Sequence, residues 1–310
     1  MPFVLIKGAF HVVNYSPDGD SIRFKPDNAD LLKQLKEFKA KVNLQGHTQL
    51  RIEAIDTLET HYGSGLHQPM GLARGAAERL LDYVGIGGVV WNPATNVVTA
   101  AADGTRGYIL ARAVEKNGRP IAFLFAGDPA EADGSNVVLD PARLAHSYNR
   151  LALAEGLAYP TYYKGLFADL RGALTAMATA ARAQGLGVWA HDGTSAGFNA
   201  NNLSVLTEGV PILPKLFRRL SDYMVEAGTA VGFKAKMAQS AEPVLDLREQ
   251  NFTHFDTFID QAPNSTQIRL TRYPEELVFD EMPARPLNQF AVQLGDLPIP
   301  TEPRLAPEFA

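Results

Sequence analysis

Asp56, Thr57 and Glu59 place three oxygen-bearing side chains within four residues. The stretch before them, Arg51-Ile52-Glu53-Ala54-Ile55, alternates polar and apolar residues as a half-buried strand does. A strand that runs out into carboxylates is suited to holding a cation. Asp56 and Glu59 cannot be buried unpaired without losing several kcal/mol, so they either face water or share a positive partner. Arg51 is one candidate for that partner and a divalent ion is another. A second acidic group lies upstream in Ser16-Pro17-Asp18-Gly19-Asp20-Ser21, where Pro and Gly make a tight turn that presents Asp18 and Asp20 at one end of a sheet. Downstream, the turn Asp103-Gly104-Thr105 delivers Arg106 at the head of the strand Tyr108 to Val114. Asp20 and Asp56 are hard anionic oxygens of the kind that Ca²⁺ or Mg²⁺ prefers, and the Thr57 carbonyl adds a further oxygen.

The order of these pieces resembles the staphylococcal nuclease (thermonuclease) family. The matching residues are Asp18-Gly19-Asp20-Ser21, then Arg51 through Asp56-Thr57-Leu58-Glu59, then Arg106-Gly107. Gln68 to Ala73 looks like the start of that family's first helix, Asn149 to Ala158 like its second, and Leu186 to Trp189 like the close of its third. The resemblance covers about residues 8 to 194. It departs from the family pattern at Leu58, which stands for a proline, and at Gly104-Thr105, which stand for basic and aromatic residues.

The resemblance implies a nuclease that hydrolyses phosphodiester bonds of DNA, RNA or both without sequence specificity, prefers single strands and leaves 3′-phosphates. It implies Ca²⁺ as the metal, with Mg²⁺ or Mn²⁺ as substitutes, on Asp20, Asp56 and Thr57. Glu59 would orient or deprotonate the attacking water, and Arg51 and Arg106 would grip the phosphate. Arginine suits that role because its planar fork holds two oxygens at once. Tyr162, with Tyr163 and Lys164 beside it, falls where the family's tyrosines line the nucleotide pocket. The competing reading of the same charges is a set of surface salt bridges.

The elements that must position these residues follow from pattern. Pro2 to Ile6 reads as a strand or docking arm. Leu31, Leu32, Leu35 and Phe38 recur at helical spacing beside Lys33, Lys36 and Lys39, which predicts a short amphipathic helix. A glycine-containing loop with His61 and His67 follows Glu59, and a helix is expected over Met70 to Tyr83. Ile109 to Val114 and Pro120 to Phe125 make a hairpin, Asp140-Pro141 starts a helix, and Arg171 to Gln184 is a third long one. The expected fold is α+β: a five-stranded OB-type Greek-key β-barrel with three helices over residues 1–194, followed by a separate α+β or irregular region over 195–310. In that second region Pro214 to Ala227 reads as a helix with Leu216, Leu220, Tyr223 and Met224 inward. Val244 to Leu247 and Thr266 to Leu270 read as strands, and Pro283 onward as an extended tail.

Composition narrows the classes. The net charge of −5 lies wholly beyond residue 194, so the nuclease-like part is neutral and lacks the basic character of tight polyanion binders. The chain has no cysteine, which excludes disulfides and thiolate metal sites. No apolar stretch approaches the length needed to span a bilayer, and no signal-peptide core is visible, so a cytoplasmic location without a membrane partner is the expectation. Besides the nuclease, two other readings follow: a noncatalytic binding or scaffold module on the same barrel, and a nuclease regulated by its C-terminal region.

Overall fold

Phe3–His11 is a strand rich in apolar residues and covered on both faces at its middle, where the adjacent Leu5 and Ile6 are fully buried, as is Phe10. It pairs antiparallel with Arg23–Pro26 on one side and with Thr105–Val114 on the other, and the latter turns back into Pro120–Ala126. The short segment 48–52 then meets both edges. Thr48–Gln49 pairs antiparallel with Arg23–Pro26, while Arg51–Ile52 pairs parallel with Pro120–Ala126, which nearly closes the sheet into a barrel. The computed structural model describes residues 2–280, so the expected extended tail from Pro283 lies outside the described residues. Within them the architecture is a mixed α+β fold with a nearly closed, barrel-shaped sheet and several helices.

Two glycines set how tightly the barrel closes. Gly8 and Gly107 face each other across neighbouring strands. A Cβ on Gly8 would lie 2.2 Å from the Lys25 carbonyl, and one on Gly107 would lie 2.2 Å from the Phe10 ring and 2.6 Å from the Phe125 carbonyl. Only a residue without a side chain lets the strands and the Phe10 and Phe24 rings pack there.

The strand after Arg51 breaks at Glu53-Ala54, where Ala54 adopts φ +68. That left-handed residue swings Ile55–Thr57 off the barrel to pair with Ala158–Pro160, and so turns Asp56 outward from the sheet. The helix Met70–Tyr83 has the expected bounds and buries Ala73, Ala76, Ala77, Leu80 and Leu81. The third long helix starts three residues earlier than expected, at Ala168–Ala183, and the short helix at Pro141–Leu144 is capped by Asp140. The amphipathic helix expected around Leu31 is a short 3-10 helix of two turns, Ala29–Gln34. Leu35 becomes extended and Lys36–Glu37 joins the strand Thr105–Val114, which leaves Phe38 exposed.

Residues past 194 share a core cluster and a sheet with residues before it. The helix Pro214–Ala227 has its expected bounds. Its Leu216, Phe217 and Leu220 share one buried core with Leu58, Ala73, Tyr159 and Trp189. Tyr162–Tyr163 pairs parallel with Leu277–Phe279, which pairs with Pro243–Asp246, so both halves of the chain contribute strands to one sheet. The buried side chains of this shared core are each worth about 1.5–3 kcal/mol relative to exposure, which holds the C-terminal half against the face that carries Asp56.

Candidate functional site

The Asp18–Asp20 turn is seated by its glycine. A Cβ on Gly19 would lie 2.7 Å from Thr57 Cγ2 and 2.7 Å from Ala76 Cβ, so only glycine lets the turn reach the 55–57 strand and the 70–83 helix. Tyr148 donates its hydroxyl hydrogen to the Gly19 carbonyl at 2.8 Å, and the Ile52 amide donates to the Asp20 carbonyl at 2.9 Å. Asp20 Oδ2 accepts the Thr57 amide at 3.1 Å, and Asp18 Oδ1 accepts the Asp20 amide at 3.3 Å. Residues from two distant stretches of chain therefore meet as one carboxylate wall of Asp18, Asp20, Asp56 and Glu59.

A side chain from the far half of the molecule meets that wall. Arg218, on the 214–227 helix, donates Nη1 to Asp56 Oδ1 at 3.1 Å and Nη2 to Asp56 Oδ2 at 2.9 Å. Its Nη1 also donates to Glu59 Oε1. Asp56 is buried, and the Glu59 amide donates to Gln68 Oε1 at 3.2 Å while Gln68 Nε2 donates to the Ile212 carbonyl at 2.8 Å. Burial pushes Glu59 up to about 7 against the pull of Arg218, with Asp56 and Asp18 adding to the rise. Burial, then the neighbouring Asp18, Asp56 and Glu59, holds Asp20 well above the usual carboxylate range.

These carboxylates line a cavity of about 700 Å³ whose lining also includes the cations Arg51, Arg119, Lys215, Arg219 and Lys236, Tyr163, and the further acids Glu115, Asp222, Glu226 and Glu242. The Arg51 guanidinium lies over the Tyr163 ring, 4.2 Å from its centroid. Lys215 is buried, with Nζ 2.6 Å from Glu242 Oε1 and 4.3 Å from the Phe279 ring centroid, and Arg219 pairs with the same Glu242 at 3.2 Å. Burial would raise the Tyr163 phenol, but Lys215 and Arg51 beside it bring it below its ordinary value. A second, more apolar cavity of about 470 Å³ adjoins the first and shares Tyr163 and Lys116 with it.

The structure brings Asp20, Asp56, Glu59, Arg51 and Tyr163 to this one cavity and sends the other expected residues elsewhere. Arg106 is held on the surface by Asp27 at 2.7 Å and Asp128 at 2.9 Å, and lines none of the cavities described. Thr57 stands behind the carboxylate wall and offers its amide to Asp20. Tyr162 points into the core, where its hydroxyl meets Thr175 Oγ1 at 2.9 Å, because strand alternation puts it and Tyr163 on opposite faces. Lys164 pairs with Asp280 at 3.1 Å and lines the apolar cavity instead. His61 meets its neighbour Thr60, and His67 pairs with Glu208 at 3.5 Å. Lys215, Arg218 and Arg219 were not singled out from sequence. Their i, i+3, i+4 spacing beside an apolar stripe was the available signal, since it marks one face of the helix.

Chemically, the cavity sets carboxylates that can take up a proton against cations that can take up an anion. Among the described residues, no group of three or more His, Asp or Glu side chains is arranged to hold a metal ion as it stands. Among them, too, no helix is long and apolar enough to cross a membrane. A scan against protein-family models finds no match, and no curated protein matches the chain.

Proposed function

We propose that this cavity binds and hydrolyses phosphodiesters of single-stranded DNA or RNA without sequence specificity, on an OB-type barrel like that of the staphylococcal nuclease family. The observation that carries the reading is the convergence of Asp20, Asp56, Glu59 and Arg51 on one cavity that Lys215 and Arg219 also line. Those four residues also carry the motif resemblance in sequence. A phosphodiester needs both kinds of charge, carboxylates to activate water and cations to neutralise charge on the phosphoryl oxygens.

In this reading Glu59, with a proton affinity near neutrality, takes the proton of the attacking water. Arg51, half-buried over Tyr163, would grip two phosphoryl oxygens with its fork. Tyr163 also borders the apolar cavity, which suits a base stacked beside the reacting phosphate. The donor set is all oxygen, so its chemistry fits a hard divalent ion such as Ca²⁺, with Mg²⁺ or Mn²⁺ as substitutes. Asp20 and Asp56 would hold it, and when bound it supplies neutralisation of the phosphate and a polarised water. Products would carry 3′-phosphates.

One observation favours a second reading, a noncatalytic nucleic-acid module: Arg218 already neutralises Asp56 and Glu59. Cleavage of labelled single-stranded DNA and RNA by the full chain, with Ca²⁺, Mg²⁺, Mn²⁺ or chelator, separates the two. The nuclease predicts cleavage that Glu59→Gln and Arg51→Ala each lower by roughly 10²–10⁴-fold. Binding without cleavage under every metal supports the module.

A further inference from the structure

Three neighbouring strands line up a row of polar side chains on the outside of the barrel. His11 pairs in register with Arg23, and Arg23 pairs in turn with Gln49. Phe10 and Phe24, the residues next to them, are fully buried, so alternation turns His11 and Arg23 away from the core. Side chains directly opposite across strands start about 4.5–5.5 Å apart, close enough to act on one small ligand. This row lines a separate cavity of about 180 Å³ together with Tyr15, Ser16 and Ser21, and no carboxylate of the described residues lines it. We propose that this cavity binds a phosphate group, gripped by the Arg23 guanidinium with His11 and Ser21 beside it. The inference goes beyond the hydrolytic reading and uses none of the residues that reading invokes.

The polar groups here are positioned but not used up. Asp103 Oδ2 meets His11 Nδ1 at 3.0 Å, and Asp103 Oδ1 accepts the Val12 amide at 2.6 Å. That fixes the ring and leaves its Nε2, which donates to an oxyanion when the ring is charged and accepts from a protonated phosphate oxygen when it is neutral. His47 stacks on the ring with centroids 4.2 Å apart, and a Cβ on Gly104 would lie 3.3 Å from His11 Cε1. The Arg23 guanidinium lies over the Tyr15 ring at 4.7 Å and has no carboxylate partner among the described residues. Ser21 is buried, and its hydroxyl accepts Gln49 Nε2 at 3.2 Å, which leaves its own hydrogen to donate. The surroundings are positive: burial, then His11 and Lys25, holds His47 below its ordinary value, with Asp103 opposing and Arg23 adding to the fall. An unpaired guanidinium fork suits a phosphate, and three separate donors match the three oxygens of a terminal phosphate better than the two of a carboxylate. Ser16 and Ser21 flank the turn that carries Asp18 and Asp20 into the large cavity, so one turn serves both cavities.

The large cavity also holds cations, so the readout must be local to this one. NMR signals of the His11 and His47 ring protons, followed as inorganic phosphate is titrated into the full-length chain, supply it without reference to hydrolysis. Saturable shifts are expected, and Arg23→Gln should weaken the affinity roughly 10- to 100-fold. Arg23→Lys, which keeps the charge without the fork, should weaken it several-fold. Arg106→Gln, at an arginine already paired with Asp27 and Asp128, should leave it unchanged. If Arg23→Gln does not fold, Arg23→Lys carries the test. Titrations in chelator with a single-stranded oligonucleotide lacking terminal phosphates, and with a 5′-phosphorylated mononucleotide, identify the source. Shifts from the oligonucleotide assign a strand phosphodiester, and shifts from the mononucleotide alone assign a terminal phosphate. Ring signals that do not saturate with phosphate, or that saturate alike in the natural chain and the Arg23 variants, overturn the site.

Discussion

The two kinds of charge in the large cavity are placed in opposite ways. The acidic wall comes from two short stretches, 18–20 and 56–59, and is fixed by backbone: a glycine turn pressed against a strand, and a left-handed Ala54 that bends the strand away from its sheet. The cations beside it are carried largely by side chains of one helix, about 160 residues further along, and are fixed by ion pairs to Asp56, Glu59 and Glu242. Backbone placement leaves the carboxylates in one position. Placement by ion pairs ties Arg218, Lys215 and Arg219 to carboxylates from other stretches of chain.

The strongest way to break this comparison is to remove a member of the acidic wall. Glu59→Gln should lower phosphodiester hydrolysis by roughly 10²–10⁴-fold in single-turnover assays, with fold retained by circular dichroism. Asp56→Ala leaves the half-buried Arg218 with Glu59 as its partner and should cost roughly 1.5–3 kcal/mol of stability, measured by denaturant titration. Gly19→Ala sharpens the claim about backbone placement. The added methyl meets Thr57 and Ala76, so a loss of about 1–3 kcal/mol is expected together with reduced activity.

A smaller effect tests the electrostatics. Glu59 is raised from 4.5 to about 7 in the folded chain. Between those two values the folded state keeps a proton that the unfolded state has shed, so this group makes stability fall as pH rises across that window and level off above it. The same shift means Glu59 acts as a base only once ionised. Hydrolysis should therefore climb through a pH near 7, and the limb should vanish in Glu59→Gln. The smallest effect is expected at Arg106. Its pairs with Asp27 and Asp128 are exposed, so Arg106→Ala should change stability by no more than about 1 kcal/mol and leave cleavage within a few-fold, in contrast to Arg51→Ala.

What could be read from sequence follows the same division. Helices with strong periodicity, Met70–Tyr83 and Pro214–Ala227, were legible to their ends, as were the turn glycine at Gly19 and the carboxylates around it. The nearly closed sheet was foreseen, but not that the 48–52 segment would join both of its edges, because non-local pairing leaves no local pattern. Tyr162 and Tyr163 could be assigned to the region but not to their faces, since a two-residue strand offers no alternation to read. Arg106 resembled a phosphate-gripping arginine in its local motif, and only the fold shows Asp27 and Asp128 beside it. Arg218 was hidden for the converse reason. A basic residue on an amphipathic helix reads as solvated until the surface it meets is known.

Whether the cavity performs hydrolysis at all is the central question. One time course of labelled single-stranded DNA with the full-length chain, in Ca²⁺ and in chelator, beside Glu59→Gln, decides it. Metal-dependent cleavage that falls by two orders of magnitude or more in Glu59→Gln is the predicted result. Cleavage that the substitution leaves unchanged, or none under any metal, would contradict it.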